Sequence, residues 1–163
     1  MIILDSMIYD IITFSETWLT HKIEDFSISH NNYTIYRQDR SSKGGGVCIF
    51  VKKLIVVKEV QAKSINGADI LILDIFTNIR AYTRLIAIYI PPKVAIVTKN
   101  LSNILDSLDF YLCHPDPLFI EDIVIVGDFN LPSIDWALIN KNPSLQMNTG
   151  NALIDFIEAR NLK

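Results

Sequence analysis

Asp128 and Asn130 stand two positions apart, directly behind the apolar run 123–126 and Gly127, in the stretch IVIVGDFNLPSIDW. A buried run that ends at glycine delivers the next side chains to the carboxyl end of a strand. In an extended chain, residues two apart point to the same side. A carboxylate and an amide placed together can orient a water and hold a phosphate oxygen; the same pair can also form an ordinary Asx-type turn. Glu16 closes a second apolar run, in DIITFSETWLT. Hard cations such as Mg²⁺ take oxygen ligands, often from one or two protein carboxylates, so Glu16 is either a metal ligand or a solvated rim glutamate. Tyr89 ends a third run, IAIYIPP, where Pro91 and Pro92 forbid the strand to continue. Its phenol either bonds or shields a phosphate, or packs its ring and leaves the hydroxyl wet.

Other motifs carry less chemistry. DRSSKGGGVCIF contains three consecutive glycines but lacks the Walker spacing, and a strand rather than a helix follows it. It reads as a turn of unusual backbone angles leading into a strand that needs close approach. Arg40 and Lys43 beside it either touch substrate or are solvated. Cys48 lies in an apolar run and reads as a small buried thiol. Cys113 beside His114, in CHPD, has no second ligand pair with which to build a zinc site. His21, His30 and His114 sit in polar or proline-flanked stretches that do not mark a general base.

The elements that must position these residues are mostly strands. Runs rich in Ile, Val, Tyr and Phe occur at 10–16, 32–38, 46–53, 54–60, 68–76, 84–90 and 122–129. Asn66-Gly67 is a strong hairpin turn between two of them. Leu101, Ile104, Leu105, Leu108 and Leu112 follow helical spacing over 100–113, with Thr98 or Asn100 as a cap. Leu153, Phe156 and Ile157 form a second helical stripe, with Asn148 or Thr149 as its start. Strands with helices set between them predict an α+β layered domain.

The chain of 163 residues has the size of one domain. Hydrophobic residues make up 50%, yet no run approaches the roughly 20 residues needed to span a bilayer. The amino terminus lacks a signal-peptide pattern, so the expectation is an intracellular protein, the nucleus included, without membrane attachment. Fifteen Lys and Arg against eighteen Asp and Glu give a net charge of −3. A protein that grips nucleic acid by general phosphate neutralisation is usually basic, so any attraction here is local or comes from a metal ion.

Taken in order, SETWL, KGGGVCIFVK, AIYIPP and VGDFNLPSIDW resemble the endonuclease/exonuclease/phosphatase superfamily. The closest resemblance is to the apurinic-type endonuclease domain of non-LTR (LINE-like) retrotransposons, and it covers the chain from about residue 9 onward. It implies a four-layer α/β-sandwich, two packed and mostly antiparallel sheets flanked by helices, over a single domain 1–163. It also implies Mg²⁺- or Mn²⁺-dependent nicking of DNA without a small-molecule cofactor. By the same resemblance Glu16 binds the metal, Tyr89 contacts the scissile phosphate, Asp128 orients the attacking water and Asn130 helps bind the phosphate. Asp135 and Trp136 match supporting positions.

The family pattern also holds an early strand with an asparagine and a late Ser-Asp-His motif, and neither is found between Met1 and Lys163. The expectation is therefore an incomplete domain, without its first strand and C-terminal strands, whose catalysis is impaired or lost. Two competing readings remain open: a non-catalytic remnant or binding module of the same fold, and a phosphomonoesterase of the same superfamily.

Overall fold

The computed structural model describes residues 2–40, 44–113, 119–132, 134, 150–160 and 162. Its strands are β1 (Ile11–Ser15), β2 (Tyr33–Gln38), β3 (Val47–Lys52), β4 (Val57–Ile65), β5 (Ala68–Phe76), β6 (Ala81–Tyr89) and β7 (Phe119–Asp128). Its helices are α1 (Ile2–Asp5), α2 (Pro92–Ala95), α3 (Thr98–Cys113) and α4 (Gly150–Ala159). The chain forms two compact units, one of Met1–Ser64, Asp69–Tyr89 and Asp116–Asp128, the other of Ile65–Ala68, Ile90–Pro115 and Phe129–Lys163. No helix among the described residues is long and apolar enough to cross a membrane.

In the first unit, β1-β3-β2 form an antiparallel sheet and β4-β5-β6-β7 a mixed one, in which β5 and β6 are antiparallel and β6 and β7 parallel. Period-2 alternation decides what each face buries. Val47, Ile49 and Val51 of β3 point toward the second sheet and meet Leu71, Leu73, Leu85 and Ala87 in one core. Cys48 and Phe50 take the other face and pack with Leu4 and Tyr33. Ile70, Ile72, Ile86 and Ile88 are also fully buried, so β5 and β6 are covered on both faces. This is why they read as near-continuous apolar runs rather than alternating ones. The result is the expected α+β sandwich of two packed sheets with helices.

In the second unit, α3 buries Leu101, Ile104, Leu105, Leu108 and Leu112, and α4 buries Leu153 and Ile154. The Arg160 guanidinium, just past α4, pairs with Asp109 on α3. Asn66 and Gly67 both have positive φ, 49° and 89°, as a tight hairpin turn requires.

Several boundaries differ from the sequence reading. The run at 54–60 begins as a turn closed by Ile55 N–H on Lys52 O, so Leu54 and Val56 are exposed and β4 starts at Val57. β6 starts at Ala81 and β7 at Phe119, each three residues before its apolar run, and α3 starts at Thr98, which leaves Asn100 inside the helix and not as its cap. The short α1 and α2 carry too few residues for a period to show; Pro92 opens α2 at a position where a missing N–H costs nothing. Asn148 and Thr149 lie outside the described residues.

Candidate active site

Tyr89 is the last residue of β6, and β6 lies between β5 and β7. Register therefore dictates its two cross-strand neighbours, Asp69 on β5 and Asp128 on β7. Directly opposite side chains share a sheet face. Leu71, Leu73, Leu85 and Ala87, of matching parity, fill the core between the sheets. Asp69, Tyr89 and Asp128 are thus a polar row at the end of that core.

The facing sheet supplies Glu16, the first residue after β1. The Tyr89 hydroxyl donates to Glu16 Oε1 at 2.5 Å, across 73 positions of sequence. Glu16 and Trp18 both adopt left-handed backbone, φ 52° and 55°, which costs on the order of 1–2 kcal/mol for a non-glycine residue. The turn before β3 holds them there: Thr17 N–H donates to Gly46 O at 3.3 Å, and Trp18 N–H to Gly45 O at 2.9 Å. A Cβ on Gly46 would lie 2.6 Å from Thr17 Oγ1, so the close approach of the two turns requires glycine. The glycine triplet is thus a backbone clamp on residues 16–18, consistent with its reading as a close-approach turn.

Gly127 does similar service for Asp128. Its φ is 145°, and a Cβ there would lie 1.8 Å from Ile88 O. Only glycine lets β7 stay paired with β6 up to the Tyr89–Asp128 pair.

The row is rich in negative charge. Burial, the hydrogen bond and negative charge of Glu16, and more weakly Asp128, push the Tyr89 phenol up to about 12, while the Arg40 guanidinium opposes the rise. Tyr89 accordingly keeps its proton at neutral pH and acts as a donor. Arg40 lies 5.7 Å from the centroid of the Tyr89 ring and pairs with Asp69 at 2.8 Å.

The sequence-predicted residues Glu16, Tyr89, Asp128 and Arg40 are therefore brought together in the first unit. Asn130 belongs to the second, where its Nδ2 donates to Ile90 O at 3.0 Å and its φ is 49°. Lys43, His114, Asp135 and Trp136 lie outside the described residues. His30 bonds Asp5 at 3.2 Å and accepts from Asn32 N–H, a local structural role. Cys48 is buried, and its thiol is pushed up to about 12 by burial and by Asp39, against Arg37. Asp69 has no counterpart in the sequence reading. Its one signal is a carboxylate near the start of an apolar strand.

Among the described residues, no three His, Cys, Asp or Glu side chains cluster as a ready metal cage. The donor present is an exposed Glu16 carboxylate with one oxygen held by Tyr89. Such a donor fits a hard cation that keeps most of its water and binds through one or two carboxylates. It does not fit a four-ligand zinc site.

Residues 83–163 match the endonuclease/exonuclease/phosphatase family model described as "Endonuclease-reverse transcriptase". No curated protein matches the sequence. Among solved structures, TDP2 from C. elegans is similar at 15% identity and a TM-score of 0.54, over 79% of this chain and 40% of that one. ANGEL2, described as a 2',3'-cyclic phosphatase, is similar at 17% identity and a TM-score of 0.54, over 83% of this chain and 44% of that one. The chain thus spans less than half the length of either structure. The second half of the chain thus matches a family model of the endonuclease/exonuclease/phosphatase superfamily, and TDP2 and ANGEL2 share its sandwich fold over most of its length.

Proposed function

We propose that this chain is a divalent-metal-dependent phosphodiesterase that nicks DNA, of the kind used by non-LTR retrotransposons. The observation that carries the reading is the 2.5 Å hydrogen bond from Tyr89 to Glu16, with Asp128 in register beside Tyr89. The endonuclease-reverse transcriptase description of the matching family supports the DNA-directed version.

Mg²⁺ or Mn²⁺, when bound, supplies Lewis-acid polarisation of a phosphoryl oxygen. Glu16 is the residue that holds it. Tyr89 fixes the Glu16 carboxylate by its O–H and stays a neutral donor beside the scissile phosphate. Asp128 accepts a hydrogen bond from the attacking water and aims it. Arg40 offsets the negative row while attracting a phosphate. With a net charge of −3, the attraction to DNA is local and sensitive to salt.

A second reading, a phosphatase of the same fold, is supported by the description of ANGEL2. One comparison separates the two: supercoiled plasmid, a phosphomonoester and a 2',3'-cyclic nucleotide, each with Mg²⁺ and with chelator. The proposal expects Mg²⁺-dependent nicking that Glu16→Gln lowers at least about 10²-fold. Turnover of a small phosphate ester without nicking favours the second reading. A folded chain that cleaves none of the three contradicts both and leaves a non-catalytic module.

A further inference from the structure

Asp69 is an ionisable residue at 0% exposure near the start of the largely apolar strand β5. A buried carboxylate is costly unless its oxygens are bonded, and four donor atoms converge on this one. Oδ1 accepts from Arg40 Nε at 3.2 Å and from Ser64 Oγ at 2.7 Å. Oδ2 accepts from Arg40 Nη2 at 2.8 Å and from Gly46 N–H at 2.8 Å. Charge-assisted bonds of this kind are the strong ones.

Two of the three partners lead back to the polar row. Arg40 lies over the Tyr89 ring. Gly46 and Gly45 are the residues whose carbonyls hold Thr17 and Trp18, and with them the left-handed turn at Glu16. We infer that Asp69 is the positioning residue of this centre: it fixes Arg40 over Tyr89 and locks the glycine turn that sets where the Glu16 carboxylate stands. Its functional meaning rests on the reading of Glu16 and Tyr89 as working residues, while its physical content is open to a test without activity.

The same strand contains its own control. Asp74, five positions on, is also buried and takes two bonds from Arg84, at 2.7 and 2.8 Å. Odd and even positions face opposite sides, so Asp74 points away from the row. Asparagine at Asp74 removes the same kind of interaction without touching the glycine turn.

The experiment is amide hydrogen exchange by NMR on the full chain in the wild type, Asp69→Asn, Asp74→Asn and Ser64→Ala. Asp69→Asn is expected to speed exchange at Thr17, Trp18 and Gly46 by about tenfold or more relative to the β2–β3 ladder. Asp74→Asn does not single these amides out. Ser64→Ala, which removes one donor of four, gives the same pattern more weakly and decides the matter if Asp69→Asn does not fold. A uniform rise across all amides, or no change at these three, overturns the inference. Plasmid nicking by the same samples keeps the two claims apart. Selective exchange without wild-type nicking supports the positioning role and contradicts the proposed reaction; nicking with unselective exchange does the reverse.

Discussion

Tyr89 carries the most testable electrostatics in the molecule. Its phenol is raised from 10.0 to about 12 in the folded chain, chiefly by burial and by Glu16. The folded state therefore holds this proton more tightly than the unfolded one. The associated stability is fully present below pH 10 and is lost as pH rises toward 12. A pH series of denaturant midpoints should show the wild type losing more stability than Tyr89→Phe across that window, and no such difference at neutral pH. Equal loss in both proteins contradicts the Tyr89–Glu16 coupling. Glu16, Tyr89 and Asp128 are legible in the sequence because each stands at or just past the end of an apolar run, where strand ends deliver side chains. Asp69 is not, because its partner Arg40 lies 29 positions earlier and its neighbour Tyr89 is fixed only by sheet order.

Strands and turns set the precision of the row. Gly127 sits where a Cβ would overlap Ile88 O at 1.8 Å, so Gly127→Ala must displace β7 from β6. A loss of at least about 2–3 kcal/mol is expected, measured by chemical denaturation, with Asp128 drawn out of register. A change within experimental error would mean that β7 is not paired as described. Arg37 plays a comparable part on β2: its Nη2 bonds Thr20 O at 3.1 Å, Ile23 O at 2.7 Å and Asp39 Oδ2 at 2.7 Å. Arg37→Ala should free the segment that follows Glu16 and cost about 1–3 kcal/mol, with faster proteolysis inside residues 17–28. The strands themselves are legible where alternation or continuous burial is strong, as at 11–15, 33–38, 47–52 and 68–76. β4 is less so, since Leu54 and Val56 are apolar yet exposed; hydrophobicity alone does not separate a turn from a strand.

At the scale of the whole molecule, metal binding and folding are linked. A ligand that binds only the folded state stabilises it by about 2.7 kcal/mol at 100 times its Kd. Mg²⁺ or Mn²⁺ should raise the melting temperature of the wild type and leave Glu16→Gln unmoved, while excess chelator abolishes the shift. The superfamily and its sandwich are legible from motif order, because SETWL, the glycine turn, AIYIPP and GDFN all fall at strand ends that face one polar row. The division into two compact units is not legible, because it depends on long-range contacts that no local pattern encodes. The most direct test of the central claim is Mg²⁺-dependent phosphodiester hydrolysis by the wild type beside Asp128→Asn, with equal folding verified by circular dichroism. The proposed centre predicts hydrolysis in the wild type and at least about 10²-fold less in the variant. Equal rates in the two proteins, or hydrolysis that persists in chelator, would contradict it.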